Sequence, residues 1–165
     1  GEADILVIIG GASVGDHDLV QETLTRRGMA LDFWRIAMRP GKPLMVGELD
    51  GMKVLGLPGN PVSAMVCAHI FLKPLIRKML GRDDQPLEMS ARLTADLPAN
   101  DERQDYIRAT LGRDDAGLLV TPFKRQDSSM LATLAHSDAL IVRPPHGAAL
   151  KAGTIVPVMT LDRDD

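Results

Sequence analysis

The feature that most constrains this chain is an abrupt change of character near its start. The unbroken apolar run Ile5-Leu6-Val7-Ile8-Ile9 gives way to Gly10-Gly11-Ala12-Ser13-Val14-Gly15-Asp16-His17-Asp18, and helical spacing follows. A continuous apolar run reads as a strand buried on both faces, so Asp4–Ile9 is expected to be one. The glycines make the next segment a strand-to-helix loop, because they clear side chains from the path of the backbone and admit dihedrals that other residues avoid. A helix N-terminus behind such a loop points amides and partial positive charge at an anion, commonly a phosphate. The loop is neither a P-loop, since it lacks the Lys-Ser/Thr ending, nor a G-x-G-x-x-G turn. It offers two carboxylates, Asp16 and Asp18, which repel phosphate unless a hard cation such as magnesium bridges them. Asp18 followed by Gln21 also fits an N-cap and capping box. The two readings are compatible, one aspartate capping and the other binding.

Composition narrows the classes. The chain has 165 residues, 45% of them hydrophobic and 25% charged, enough to bury a core in one medium domain or two small ones. A net charge of −3 with only 3% aromatic residues argues against a nucleic-acid surface, since neither a basic footprint nor stacking platforms are present. The single cysteine, Cys67, excludes an internal disulfide and a cysteine-based zinc site. Among Met65, Val66, Ala68 and Ile70 it reads as a buried, inert thiol, in keeping with a reducing cytoplasm. No apolar run reaches membrane-spanning length, and the opening Gly1-Glu2-Ala3-Asp4 is no signal peptide. The missing initiator Met suggests a fragment or a processed chain.

In the first half, Leu19–Arg27 reads as a helix with Leu19, Val20, Thr23 and Leu24 on its inner side, stopped by Gly28. Met29–Ala37 reads as a second strand with Leu31, Phe33 and Ile36 inward, which completes a βαβ unit. The loop Met38-Arg39-Pro40-Gly41-Lys42-Pro43 stiffens and exposes a lysine. Leu44–Leu49 and Met52–Leu57 flank Asp50-Gly51, a favoured two-residue turn, and form a hairpin. Asn60 then caps a helix with Pro61 at its first position, running to Gly81 and kinked at Pro74. His69 on that helix reads as a core or rim histidine. Too few strands are present for a stable doubly wound sheet, so upstream partners are expected.

Beyond the polar linker 81–86 the period changes to two, with Leu87, Met89, Ala91, Leu93, Ala95 and Leu97 alternating. Tyr106–Leu111, Leu118–Thr121, Leu140–Arg143 and Thr154–Met159 are further short strands, and Ser128–Ala135 a short helix capped by Asp127 or Ser128. About five strands at this spacing suggest a small antiparallel β domain, a sandwich or an open barrel. Arg103 and Arg108 flank the strand holding Asp105 and Tyr106, and strand arginines of this kind are usually solvated or paired with an acid.

Three stretches together, Gly-Gly-x-Ser-Val-Gly-Asp-x-Asp (10–18), Arg-Pro-Gly-Lys-Pro (39–43) and Gly-Leu-Pro-Gly-Asn-Pro-Val-Ser (56–63), resemble the molybdopterin molybdenumtransferase family. That family includes the bacterial enzyme, MoeA, and the E domain of gephyrin. The stretches fall in the family's order, and the β-rich tail matches to near Asp162. The resemblance implies an α/β fold: part of a three-layer, MogA-like molybdopterin-binding domain over residues 1–84, followed by the small β domain over 85–165. Family members carry two further domains and the first half of the α/β domain upstream, so the chain by itself is expected to be inactive.

The implied activity is insertion of molybdate into adenylylated molybdopterin with release of AMP, assisted by magnesium. Asp18 and Asp16 are then catalytic and metal-binding. Gly10, Gly11, Ser13 and Gly15 line the pterin loop, and Pro58, Gly59, Asn60 and Pro61 the second loop. Lys42, Pro43, Ser63, Arg103, Ser128 and Ser129 match molybdate positions. The match at Arg103 departs from the family's Glu-Phe sequel, since Gln104-Asp105-Tyr106 follow here; Ser128 and Ser129 stand where a Ser-Gly-Ser-like turn is common. A homodimer in the cytoplasm is implied, together with a partnership with the molybdopterin adenylyltransferase. Two other readings stay open: an adenylyltransferase, which shares part of the first loop, and a non-enzymatic scaffold like gephyrin.

Overall fold

The computed structural model describes residues 3–11, 19–82, 88–127 and 130–161. The chain divides into two compact units, Gly1–Leu80 and Gly81–Asp165.

The first unit is built on four strands in the order β1-β5-β4-β2: β1 (Ile5–Ile9), β2 (Ala30–Arg35), β4 (Pro43–Leu49) and β5 (Met52–Leu57). The two-residue strand β3 (Met38–Arg39) lies between β2 and β4 in the chain. β1 runs parallel to β5, with Ile9 opposite Leu57, while β5–β4 and β4–β2 are antiparallel. The expected hairpin is present. Asp50 and Gly51 sit at φ 51° and 80°, the left-handed pair that a tight two-residue turn requires. The βαβ reading gains a correction. β2 does point the same way as β1, but the whole β4–β5 hairpin lies between them.

Helix α1 (Leu19–Arg26) packs Val20 and Leu24 on a cluster made by Leu6, Ile8, Met29, Trp34, Met45, Leu49 and Val54. Leu19 and Thr23, expected inward, are exposed, since so short a helix covers the sheet with a narrow stripe. β1 is not buried on both faces either. Leu6 and Ile8 meet α1, whereas Val7 and Ile9 alternate to the other face and are 38% and 70% exposed. In β2, Leu31 and Phe33 are exposed at 37% and 39% rather than inward, and Trp34 packs on the cluster instead. The cause is register. Shifts at Leu31/Phe33 and Phe33/Arg35 break the alternation that the sequence pattern presumes.

After β5 the chain forms α2 (Pro61–Cys67), a π-helical turn (Ala68–Leu72) and α3 (Lys73–Met79). Val62, Ala64, Val66 and Cys67 are buried, as the apolar early turns require. The irregularity expected at Pro74 takes the form of this wider turn, in which Lys73 N–H donates to Ala68 O. A π turn makes room for a ring that would otherwise strike the preceding turn's carbonyl.

The second unit contains β6 (Glu88–Leu93), β7 (Gln104–Asp114), β8 (Gly117–Pro122), α4 (Leu131–Ala135), β9 (Ala139–Arg143) and β10 (Ile155–Thr160). Neighbouring strands run β7-β8-β6-β10-β9, and β9 pairs back onto β7. The ring therefore closes: of sandwich and barrel the pairing selects the barrel, and closure removes the exposed edges. Four of its pairings are antiparallel and one, β6 with β8, is parallel. Ala91, Leu93, Val120, Ile141, Val156 and Val158 fill its interior. The N-cap position of α4 is Met130, which makes no side-chain capping bond and whose N–H donates to Asp127 O (3.2 Å); Ser128, the other expected cap, lies outside the described residues.

Candidate functional site

Strand register brings three separated stretches to one end of the four-stranded sheet. β1 ends at Ile9 opposite Leu57, the last residue of β5, so Gly10 and Pro58 leave the sheet side by side. Gly10 N–H donates to Leu57 O (3.0 Å), and a Cβ placed on Gly59 would lie 3.4 Å from Gly10 Cα. The two turns thus touch backbone to backbone. Gly10 and Gly11 take φ of 82° and 70°, successive left-handed residues that only glycine adopts without strain. β4 runs the opposite way, with Met45 opposite Gly56, so its first residue, Pro43, begins at the same end and Lys42 immediately precedes it. Neighbouring strands stand about 4.8 Å apart, so β1 to β4 spans roughly 10 Å, the breadth of one small ligand.

Within this group Pro58 is buried, Asn60 half-buried, and Gly59, Pro61 and Lys42 exposed. Asn60 Oδ1 accepts the Ser63 N–H (3.2 Å), the N-cap the sequence announces. Ser63 itself is 6% exposed and packed inside the first turn of α2. Lys42 carries its charge into the open, forming no salt bridge among the described residues, while its carbonyl accepts the Ile36 N–H (3.2 Å). The preceding Gly41 is buried against Cys67 of α2, whose thiol faces the Gly41 carbonyl at 4.0 Å. Burial pushes that thiol up to about 12, so it stays protonated and unreactive, as expected.

Sequence reasoning missed a second cation at this end. Arg35 closes β2 opposite Pro43, is exposed, and holds its guanidinium carbon 4.6 Å from the Trp34 ring centroid. The adjacent Trp-Arg pair was the available signal. Ser13, Gly15, Asp16 and Asp18 lie outside the described residues, as do Ser128 and Ser129.

In the barrel unit the two arginines behave differently. Arg103 follows the pairing expected of a strand cation: Nη2 and Nε donate to the two carboxylate oxygens of Asp101 (2.7 and 3.4 Å), and this bond raises its pKa. Arg108 departs from it. It is 1% exposed, donating from Nε to Gln126 Oε1 (3.3 Å) and from Nη1 to Asp127 O (3.0 Å). Burial pulls its pKa down, against the opposing pull of Asp127. Gln126 in turn donates to the carbonyls of Arg108 (2.9 Å) and Phe123 (2.8 Å). Arg108, and not Arg103, is therefore bonded to the segment that leads into Ser128-Ser129. Its position inside the period-two pattern hid this, because the outward or inward sense of one strand residue depends on the pairing.

These geometries meet an independent comparison. Residues 1–78 match the family model described as a probable molybdopterin binding domain, and residues 90–161 match the MoeA C-terminal region (domain IV). The chain thus joins a probable molybdopterin binding domain to a domain of the MoeA C-terminal type. A molybdopterin molybdenumtransferase from Bacillus subtilis is 30% identical over 165 residues, 99% of this chain and 38% of that protein. One from Haemophilus influenzae is 33% identical over 160 residues, 95% of this chain and 39% of that protein. The solved MoeA protein from Pyrococcus horikosii superposes with a TM-score of 0.77 at 27% identity, over 95% of this chain and 37% of that one. The chain thus spans under two fifths of the length of these relatives. Its α/β unit is MogA-like and its second unit is the small β domain that accompanies it in MoeA.

Proposed function

We propose that this chain contributes the pterin-binding loops and the terminal β domain of an enzyme that inserts molybdate into adenylylated molybdopterin and releases AMP. The observation that carries this reading is the gathering of the Gly10, Lys42–Pro43 and Pro58–Asn60 stretches at one sheet end. Such an end, where parallel strands finish in glycine turns, is where α/β sheets bind ligands. Glycines 10, 11 and 59 let a flat pterin approach the backbone closely. Lys42 meets an oxyanion with a full charge, worth about 4 kcal/mol per unit charge at 4 Å and an effective dielectric near 20, before desolvation is subtracted. Arg103 enters the reading with its charge matched by Asp101, which an arriving dianion has to displace.

Magnesium belongs to the same proposal. The described part of the sheet end, Gly10, Gly11, Lys42, Pro43 and Pro58–Asn60, has no carboxylate, and no group of three or more potential metal ligands occurs among the described residues. In this reading the metal is held by Asp16 and Asp18, a hard-oxygen pair suited to it. Bound there, it offsets phosphate charge. The remaining catalysis is positioning and electrostatics, without a covalent protein intermediate. A homodimer and a partnership with the adenylyltransferase that supplies the substrate complete the reading.

The test is Lys42→Ala and Asp18→Asn in the intact protein, assayed for AMP release against molybdate concentration. Lys42→Ala should raise the half-saturating molybdate concentration at least ten-fold, and Asp18→Asn should abolish release. Unchanged curves for both variants would remove these residues from the mechanism. Adenylylated pterin made from ATP would mark an adenylyltransferase instead.

A further inference from the structure

The lysine loop is seated on α2 through a tight joint. Gly41, at φ 117°, is buried in contact with Cys67; a Cβ added there would sit against the sulfur below 3.0 Å, and 3.4 Å from Met38 Cε. The Cys67 side chain therefore occupies the space that any side chain at position 41 would need. On the far side of Lys42, Pro43 is fixed in the sheet opposite Arg35. Lys42 thus sits between a sheet strand and this contact, with its own carbonyl held by the Ile36 N–H (3.2 Å).

Cys67 also stands at the opposite end of α2 from Asn60, which caps the helix and ends the Pro58–Asn60 turn. Seven residues of helix make a stiff spacer of about 10 Å between the two. We infer that Cys67 is a positioning residue for Lys42: its volume, rather than its thiol chemistry, sets how far the lysine stands from the Pro58–Asn60 turn. The inference rests on the molybdate role of Lys42 proposed above. It predicts that bulk added on either side of the joint, at residue 41 or 67, displaces the lysine, and that bulk removed from the other side restores it.

The experiment compares Cys67→Val, Cys67→Ser, Gly41→Ala and the double variant Gly41→Ala/Cys67→Ala in the intact protein. Molybdate dependence of AMP release and thermal melting are read for each. Cys67→Val and Gly41→Ala should raise the half-saturating molybdate concentration at least five-fold, with a smaller fall in turnover at saturation. The conservative Cys67→Ser should stay within two-fold of wild type, and the double variant should recover part of the Gly41→Ala defect. Backbone strain at φ 117° accounts for whatever part of the Gly41→Ala defect alanine at 67 leaves. The result that overturns the inference while leaving the molybdate reading intact is an unshifted molybdate curve in a folded Cys67→Val. Wild-type protein releasing AMP without dependence on molybdate overturns both.

Discussion

Arg108→Ala is the perturbation that most directly tests how the barrel holds the segment before Ser128. The side chain is 1% exposed and its guanidinium bonds Gln126 Oε1 and Asp127 O. Gln126 Oε1 keeps a donor after truncation, because the Arg108 main-chain N–H also reaches it (3.0 Å). Asp127 O loses the donor supplied by Nη1 but keeps the Met130 N–H (3.2 Å). Loss of the two charge-assisted bonds costs about 1.5–3 kcal/mol in all. The cavity adds roughly 1–2 kcal/mol. Against this stands relief from desolvation, the penalty that lowers the Arg108 pKa. The balance is a loss of about 3 kcal/mol, a fall of roughly 10 °C or more in the melting of a unit this size. Urea unfolding measures the first, and amide exchange at Phe123, whose N–H donates to Arg108 O (3.1 Å), reports the segment itself. Arg108→Met refills the stem without the donors and should recover only the cavity part. A fully stable Arg108→Met variant, or an alanine variant within 1 kcal/mol of wild type, would refute the assignment of the stabilisation to these bonds.

Three further outcomes follow from the first unit. The Cys67 thiol, pushed from 9.0 up to about 12, is protonated in the fold while the unfolded chain ionises above 9, so stability should fall as pH rises from 9 towards 12. The loss reaches about 4 kcal/mol at most, and urea curves at pH 8 and 11 should show it vanish in Cys67→Ser. Asn60→Ala removes the acceptor of the Ser63 N–H and should cost about 1 kcal/mol by urea unfolding. Gly51→Ala forces a side chain into φ 80° at the β4–β5 turn and should cost about 1–2 kcal/mol. Gly28→Ala at φ 98° has the same open space around it as Gly51, so strain alone acts at both and the two costs should be similar.

Most of the local structure was readable along the chain because it is set by near neighbours. Asp50-Gly51 demanded its turn, Asn60-Pro61 its helix start, and the switch from unbroken to alternating apolar residues its change of domain type. The three family stretches were likewise legible before any contact between their described parts was visible. What reading along the chain misplaced were faces and partners: Leu31 and Phe33 turned outward by register shifts, Ile9 left open on its second face, and β2 separated from β1 by a whole hairpin. The same holds for Arg108, which reads like any strand cation until β7 pairs with β8 and β9 and the 123–127 segment closes over it. Turn chemistry and periodicity act over a few residues and are written in the order of the chain. The meeting of Gly10 with Gly59, and of Gly41 with Cys67, depends on strand order and register, which only the folded chain decides.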